Sequence, residues 1–271
     1  EGFNISSCQF ALHYFFKSKH VLHRFVANIA ECTKIGGYFV GACYDGKKIF
    51  NMLKNREEGE EVELYHKNKK IWGVQKLYGK EEFNDDNTSL NYKIKVYQET
   101  INKAFDEYLV NFDYFIRIME NYGFQIIQDQ DAADIGFPSG SGLFEELFND
   151  MNKKVKIQPR TKTNYGTAQN MSDNEKEISF KNRYFIFKKT SNVNIDRVVA
   201  EEEDSEPISA VIDKVSIPKK NTDDINNQDL DKNEKIEKSE SDQPKKKKIL
   251  VKKPRKLNRS ITLQESSGSS K

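Results

Sequence analysis

Beyond Thr190 the chain has no phenylalanine, tyrosine or tryptophan. The residues there are mostly lysine, aspartate, glutamate, asparagine and serine. Such a segment cannot bury enough apolar surface to offset the entropy of the chain, so disorder is expected over 191–271. All the aromatics fall before that point, and residues 1–190 are a comfortable size for one core. Cysteine is also scarce. Cys8, Cys32 and Cys43 show neither metal-ligand nor disulfide spacing. All three sit among apolar neighbours and are expected to be reduced core residues, which suits a cytosolic or nuclear compartment. No stretch is long and apolar enough to span a membrane, so no membrane partner is expected.

Neither sign of charge dominates, since 44 lysines and arginines face 42 acids, for a formal net charge of +2. This balance conceals blocks. Glu201 to Asp204 is acidic, and Lys245 to Arg259 is basic with no acid inside it. A run of that kind serves as a solvated tail, an import signal or an arm that contacts RNA phosphates.

The folded part alternates between textures. Phe3-Asn4-Ile5 leads into Cys8-Gln9-Phe10-Ala11-Leu12-His13-Tyr14, which reads as a buried strand ending in polar and aromatic groups. Val21, Leu22, Phe25, Val26 and Ile29 recur at helical spacing, and Gly36-Gly37 is expected to end that helix. Tyr38 to Cys43 reads as a strand buried on both faces. Strand, helix, strand makes a βαβ unit with a right-handed crossover. Lys47 to Lys54 reads as a short helix. Val62 and Leu64 alternate with acids, and Ile71 to Tyr78 returns, which predicts an antiparallel hairpin. Tyr92, Ile94 and Val96 predict a further strand. Phe105, Leu109, Phe112, Ile116 and Met119 form one helical stripe, and Phe124 to Ile127 is a strand. Leu143 to Met151 reads as an amphipathic helix, Asn152 to Lys176 as polar and mobile, and Phe180 to Lys188 as a last strand.

An amide, an imidazole and a phenol in six residues at the end of a strand could grip a planar base, since open α/β sheets bind ligands at the carboxyl ends of their strands. Five segments in order carry a resemblance: Ser7 to Tyr14, Gly36 to Gly41, Tyr44-Asp45-Gly46, Glu107-Tyr108-Leu109-Val110, and Tyr184 to Phe187. Together they resemble the mRNA cap guanine-N7 methyltransferases, most closely the methyltransferase end of capping enzymes from large DNA viruses. The resemblance covers roughly Phe3 to Lys189.

That resemblance implies an α/β fold, namely the second half of a class I, Rossmann-like, S-adenosylmethionine-dependent methyltransferase sheet with an inserted antiparallel hairpin. It implies S-adenosylmethionine as cofactor and capped RNA as partner, with an activating subunit or preceding capping-enzyme domains as further partners. The setting implied is the nucleus, or the host cytoplasm or virion for a viral protein. Gln9 and Tyr14 match the family residues at the cofactor. His13 and Glu107 match those at the cap guanine. A strict alignment puts Asn182 at the place of the family's last cap tyrosine; Tyr184, two positions later and on the same strand face, is expected to substitute for it at the cap guanine. The family's glycine-rich cofactor loop and its ribose-binding acid have no counterpart here. The chain also lacks an initiator methionine and opens at a strand, so a fragment of a longer protein is expected.

The chemistry implied needs no acid or base. Guanine N7 carries a lone pair and no proton, and a sulfonium methyl is already activated, so alignment carries the rate. Two other readings remain open: a methyltransferase of the same fold with another substrate, and a non-catalytic interaction module.

Overall fold

The computed structural model of the chain describes residues 2–204; the basic run Lys245 to Arg259 lies outside the described residues. The opening strand β1 (Phe3–Gln9) passes through a 3-10 turn (Leu12–Lys17) into α1 (Lys19–Cys32). Ser18 caps this helix by accepting a hydrogen bond from the Val21 amide. β2 (Thr33–Tyr44) then pairs parallel with β1, completing the expected βαβ unit.

The glycine pair does not end the helix. α1 stops at Cys32, and Gly36-Gly37 lies within β2, where Gly36 takes a φ of 76° and the register with β1 shifts between Phe3 and Ile5. A left-handed glycine lets the strand bulge and still resume pairing. Gly41 is needed for closeness instead: a Cβ there would meet the Cys8 carbonyl oxygen at 2.2 Å and the Phe185 ring at 2.4 Å.

Asp45 accepts from the Lys48 amide at 2.9 Å and so caps α2 (Gly46–Leu53). The chain then leaves the first sheet. β3 (Glu61–His66), β4 (Lys69–Lys76), β5 (Lys93–Gln98) and β6 (Lys103–Tyr108) form an antiparallel sheet in that order. The expected hairpin is therefore half of a four-stranded sheet. The helix expected from Phe105 begins later, as α3 (Phe112–Asn121), capped by Asn111. Phe105 and Glu107 fit a period of two as well as a helical one, and pairing with Val96 and Ile94 decides for the strand.

β7 (Phe124–Ile126), α4 (Asp129–Asp134), β8 (Ser141–Leu143) and α5 (Phe144–Ile157) follow. Two 3-10 turns, Pro159–Tyr165 and Ala168–Asn170, lead to α6 (Asp173–Ser179), whose start is a capping box of Ser172 and Glu175. The stretch 152–176, expected to be mobile, thus has regular structure, although this capping box is its one side-chain cap, with none on α5 or on either 3-10 turn. β9 (Asn182–Lys189) returns to the first sheet and slots antiparallel between β2 and β7. The resulting order, β1-β2-β9-β7, is the expected second half of a class I methyltransferase sheet.

α1 and α3 cover one face of this sheet. Phe16, Phe39, Phe115, Phe185 and Phe187 are fully enclosed there. α7 (Ile195–Asp204) joins the same core through Val199, with Ile195 and Val198 packed beside it. Residues 195–204, expected to belong to the tail, thus form a helix that packs on this core. Three aliphatics at helical spacing dock a turn that has no aromatics. A second core lies under the antiparallel sheet, where Ile49, Phe50 and Leu53 of α2 meet Trp72, Tyr92, Ile94 and Val96.

Two burial expectations are corrected. In β1 only Cys8 is buried, while Phe3 and Ile5 are 67% and 60% exposed, because no strand covers that edge among the described residues. Cys32, the last residue of α1, is exposed, whereas Cys8 and Cys43 are buried. Cys32 sits on the outward side of its last turn, so its apolar neighbours in sequence are not its neighbours in space.

Candidate functional site

A cavity of about 550 Å³ opens where the carboxyl ends of β1 and β2 meet the antiparallel sheet. The volume is in the range of sites for small organic ligands. His13 enters from the 3-10 turn after β1, Glu107 from β6 and Asn182 from the start of β9. Phe10, Tyr14, Tyr44, Trp72 and Phe105 supply aromatic walls.

His13 and Glu107 come from positions far apart in the chain and meet here. Nδ1 of His13 lies 3.6 Å from Oε2 of Glu107, which is too long for a hydrogen bond. Both groups are buried. Burial pushes the His13 imidazole down to about 4, so it is neutral at neutral pH, and pushes the Glu107 carboxyl up to about 7. His13 Nε2, Glu107 Oε2 and Asn182 Oδ1 have no hydrogen-bond partner within the protein. The amide nitrogen of Asn182 donates to the carbonyls of Ile178 and Ser179 at 3.2 and 3.0 Å. Those two bonds fix which end of the amide remains free. Buried polar atoms are ordinarily paired, so three orphans around one cavity mark a place prepared for a polar ligand.

The walls are held as firmly. Tyr44 accepts from Trp72 Nε1 at 2.9 Å and from Gln98 Nε2 at 3.4 Å. Burial, aided by the nearby Glu107, raises the Tyr44 phenol to about 12, so it stays protonated. Phe10 takes a φ of 52°, an uncommon conformation for an aromatic residue, with its ring 53% exposed and edge-on to Phe144 at 6.3 Å. Strain of this kind persists where surrounding structure enforces it, and often at ligand sites. Tyr14 is half exposed, its ring 4.1 Å from that of His13.

Gln9 and Tyr184 are not brought to this cavity. They line a second one, of about 530 Å³, with Tyr38, Val40, Phe137 and Phe144. Tyr184 uses its hydroxyl on Ser139, bonding the backbone oxygen at 3.0 Å and lying 3.0 Å from the side-chain oxygen. Asn182 and Tyr184 share a face of β9, but the two-residue step carries Tyr184 away from the cavity mouth and under the β8 segment. Gln9 is exposed and donates only to Ser7, at 3.1 Å. Sequence reasoning passed over Phe10, Tyr44 and Phe105 as site residues. Phe10 lay inside the opening motif, and the two-residue step from Phe105 to Glu107 carried the signal for a shared strand face.

Among the described residues no group of histidine, cysteine and acids could hold a metal ion. The arrangement suits a flat ring with two adjacent donors and one acceptor on its edge. The carboxylate takes the donors, the neutral imidazole can donate to the acceptor, and the aromatic walls clasp the faces.

The α/β sheet with its antiparallel late strand is the expected half-sheet of a class I methyltransferase, and a base-sized pocket opens at its strand ends. Residues 1–190 match the family described as mRNA (guanine-N(7))-methyltransferase domain, and the chain belongs to that family. The "Probable mRNA-capping enzyme" of Acanthamoeba polyphaga mimivirus is 26% identical over 208 residues, covering 70% of this chain and 17% of that protein. The "mRNA cap guanine-N(7) methyltransferase" of Drosophila melanogaster is 29% identical over 133 residues, covering 48% of this chain and 29% of that protein. Among solved structures, an S-adenosylmethionine-dependent methyltransferase from Clostridium acetobutylicum aligns with a TM-score of 0.31 at 12% identity, over 47% of this chain and 50% of that one. The chain thus spans less than a third of the length of these two curated relatives.

Proposed function

We propose that the 550 Å³ cavity binds the guanine of an RNA cap, and that the chain serves an enzyme that methylates guanine at N7. The observation that carries this is the trio of orphaned polar atoms on His13, Glu107 and Asn182. Guanine offers N1–H and a 2-amino group side by side, with O6 beyond them. Glu107 accepts from N1–H and the 2-amino group, and Asn182 Oδ1 supplies a further acceptor. Neutral His13 donates to O6. Adenine presents one donor and no carbonyl on the same edge, so it would leave the carboxylate unmatched.

S-adenosylmethionine supplies an activated methyl group in this family's reaction. The residues here fit part of its cradle. The exposed amide of Gln9, bonded only to Ser7, stands at the carboxyl end of β1, and the half-exposed phenol of Tyr14 on the turn that follows, where such a donor would lie. The chain's contribution is then to hold the base in plane, with N7 directed out of the polar edge. Held in this way, N7 would offer its lone pair to that methyl group, and no proton has to leave it. Burial of Glu107 and His13 keeps water from competing for the base edge, and it makes each hydrogen bond count for more.

The test is equilibrium binding to the full-length protein of a guanine-capped and an adenine-capped dinucleotide, otherwise identical. The guanine form should bind at least tenfold more tightly. Equal affinity would show that the three orphaned atoms do not read a guanine edge.

A further inference from the structure

Residues 151–172 contain five cations, Lys153, Lys154, Lys156, Arg160 and Lys162, and no acid. Regular structure places them on the last turns of α5 and on the 3-10 turn that follows. Lys154 is engaged, with Asp150 at 2.7 Å and the Gly136 carbonyl at 2.9 Å. Lys153, Lys156, Arg160 and Lys162 are exposed, and among the described residues none has an ion pair. Some other cations are matched, Lys47 with Asp85 and Asp113, Lys70 with Glu61 and Glu63, and Lys93 with Asp106; Lys67, Lys95 and Lys103 are exposed without an ion pair as well, and the cluster differs from these in having no acid anywhere in its stretch.

The unmatched cluster is tethered to the cavity at both ends. Its helix begins at Phe144, whose ring packs edge-on against Phe10 on the cavity wall. The excursion returns through Ile178 and Asn182, which line the same cavity. A helix of 14 residues is about 20 Å long, so the cations stand a short polymer's reach from the mouth. The acids of α5, Glu145, Glu146 and Asp150, lie in its first half, nearer the cavity. The positive field therefore begins only beyond the ligand's head. A lone nucleotide would not reach it; a strand continuing from that nucleotide would.

We infer that Lys153, Lys156, Arg160 and Lys162 form a phosphate-binding track for the RNA chain that follows the cap. This inference rests on the cap-binding reading of the cavity. The four groups are cations, and Tyr165 at the end of the same turn is partly buried against α5, so the track binds the backbone and not the bases, and it is indifferent to sequence. It would make the protein hold a capped transcript more tightly than a free cap, without adding selectivity beyond the first nucleotide.

The test uses the full-length protein and its quadruple variant Lys153→Ala, Lys156→Ala, Arg160→Ala and Lys162→Ala. Both are titrated with a capped dinucleotide, a capped RNA of about ten nucleotides and the same RNA uncapped, each over a range of salt. A second variant, with the three lysines changed to arginine, keeps the charge. For single strands the slope of log affinity against log salt is about −0.7 per phosphate neutralised. The alanine variant should show a slope shallower by roughly 2 to 3 on both ten-nucleotide RNAs, with dinucleotide binding unchanged and the arginine variant like the parent. An unchanged slope on the longer RNAs would overturn the track. If instead the parent protein bound the uncapped RNA with the steep slope but showed no preference for a guanine cap, the cavity reading would fail while the track stood. A loss of equal size on the dinucleotide would place these cations at the cap and overturn the track as described.

Discussion

Two cavities of nearly equal size, about 550 Å³ at the strand ends and 530 Å³ along a face of the β1-β2-β9 sheet, differ in how their polar groups are spent. In the smaller one, Tyr184 is already bonded to Ser139 and the remaining walls are mostly apolar. In the larger one, a carboxylate, an imidazole and an amide oxygen are buried without partners, and two of them have strongly displaced pKa values. Volume does not tell these cavities apart. Unspent hydrogen-bonding capacity does, because a fold that leaves such groups bare loses stability unless a ligand completes them.

The largest test of this contrast is a paired substitution. Glu107→Gln replaces an acceptor oxygen facing guanine donors with a donating amine. Losing one partner of a buried charged hydrogen bond costs about 2 to 5 kcal/mol, so affinity for a guanine cap should fall from roughly 30-fold to several thousandfold by calorimetry. Affinity for S-adenosylmethionine should hold within twofold. Tyr184→Phe, in the other cavity, should leave cap affinity unchanged and lower thermal stability by about 1 kcal/mol through the lost bond to Ser139. Equal effects of the two substitutions on cap binding would erase the distinction.

Phe10→Ala comes next. Its exposed ring is held at a strained φ on the cavity wall. Stacking of a base on an aromatic side chain is worth about 1 to 3 kcal/mol, so cap affinity should fall about 5- to 150-fold. Alanine keeps the Cβ and so the strained φ, and with the side chain half exposed the melting temperature of the unliganded protein should change little. A pure loss of stability with cap affinity intact would assign Phe10 to packing.

The smallest effect is a pH dependence. If only ionised Glu107 binds guanine, a group with a pKa of about 7 is roughly one-tenth ionised at pH 6 and nine-tenths at pH 8. Affinity for an unmethylated guanine cap should therefore rise about tenfold across that range, and Glu107→Gln should flatten the curve. Folding raises this pKa, so the native state holds the proton more tightly than the unfolded chain. The Glu107 contribution to stability without ligand is then fully present below the ordinary carboxylate range and is lost as pH rises through about 7. Glu107→Gln should accordingly raise the melting temperature above pH 7 by about a few degrees, in the absence of cap. A carboxylate kept for structure would show the opposite sign.

Local pattern settled the βαβ start and the strands β7 and β9, because hydrophobic period is a property of neighbouring residues, and the resemblance carried by five segments settled the family. It also made His13 and Glu107 a pair by resemblance, and the fold does bring them within 3.6 Å. What local pattern could not decide was any matter of pairing across the chain. Residues 105 to 109 satisfy both helical and strand periods, and only the ladder to β5 selects the strand that aims Glu107 at the cavity. Whether Asn182 or Tyr184 faces that cavity depends on which cavity each position of β9 reaches, and on the bonds from Asn182 to the end of α6. The aliphatics of α7 looked like tail until α1 offered a surface for them. In each case the deciding energy is a contact between residues distant in sequence, which no window of neighbouring residues contains.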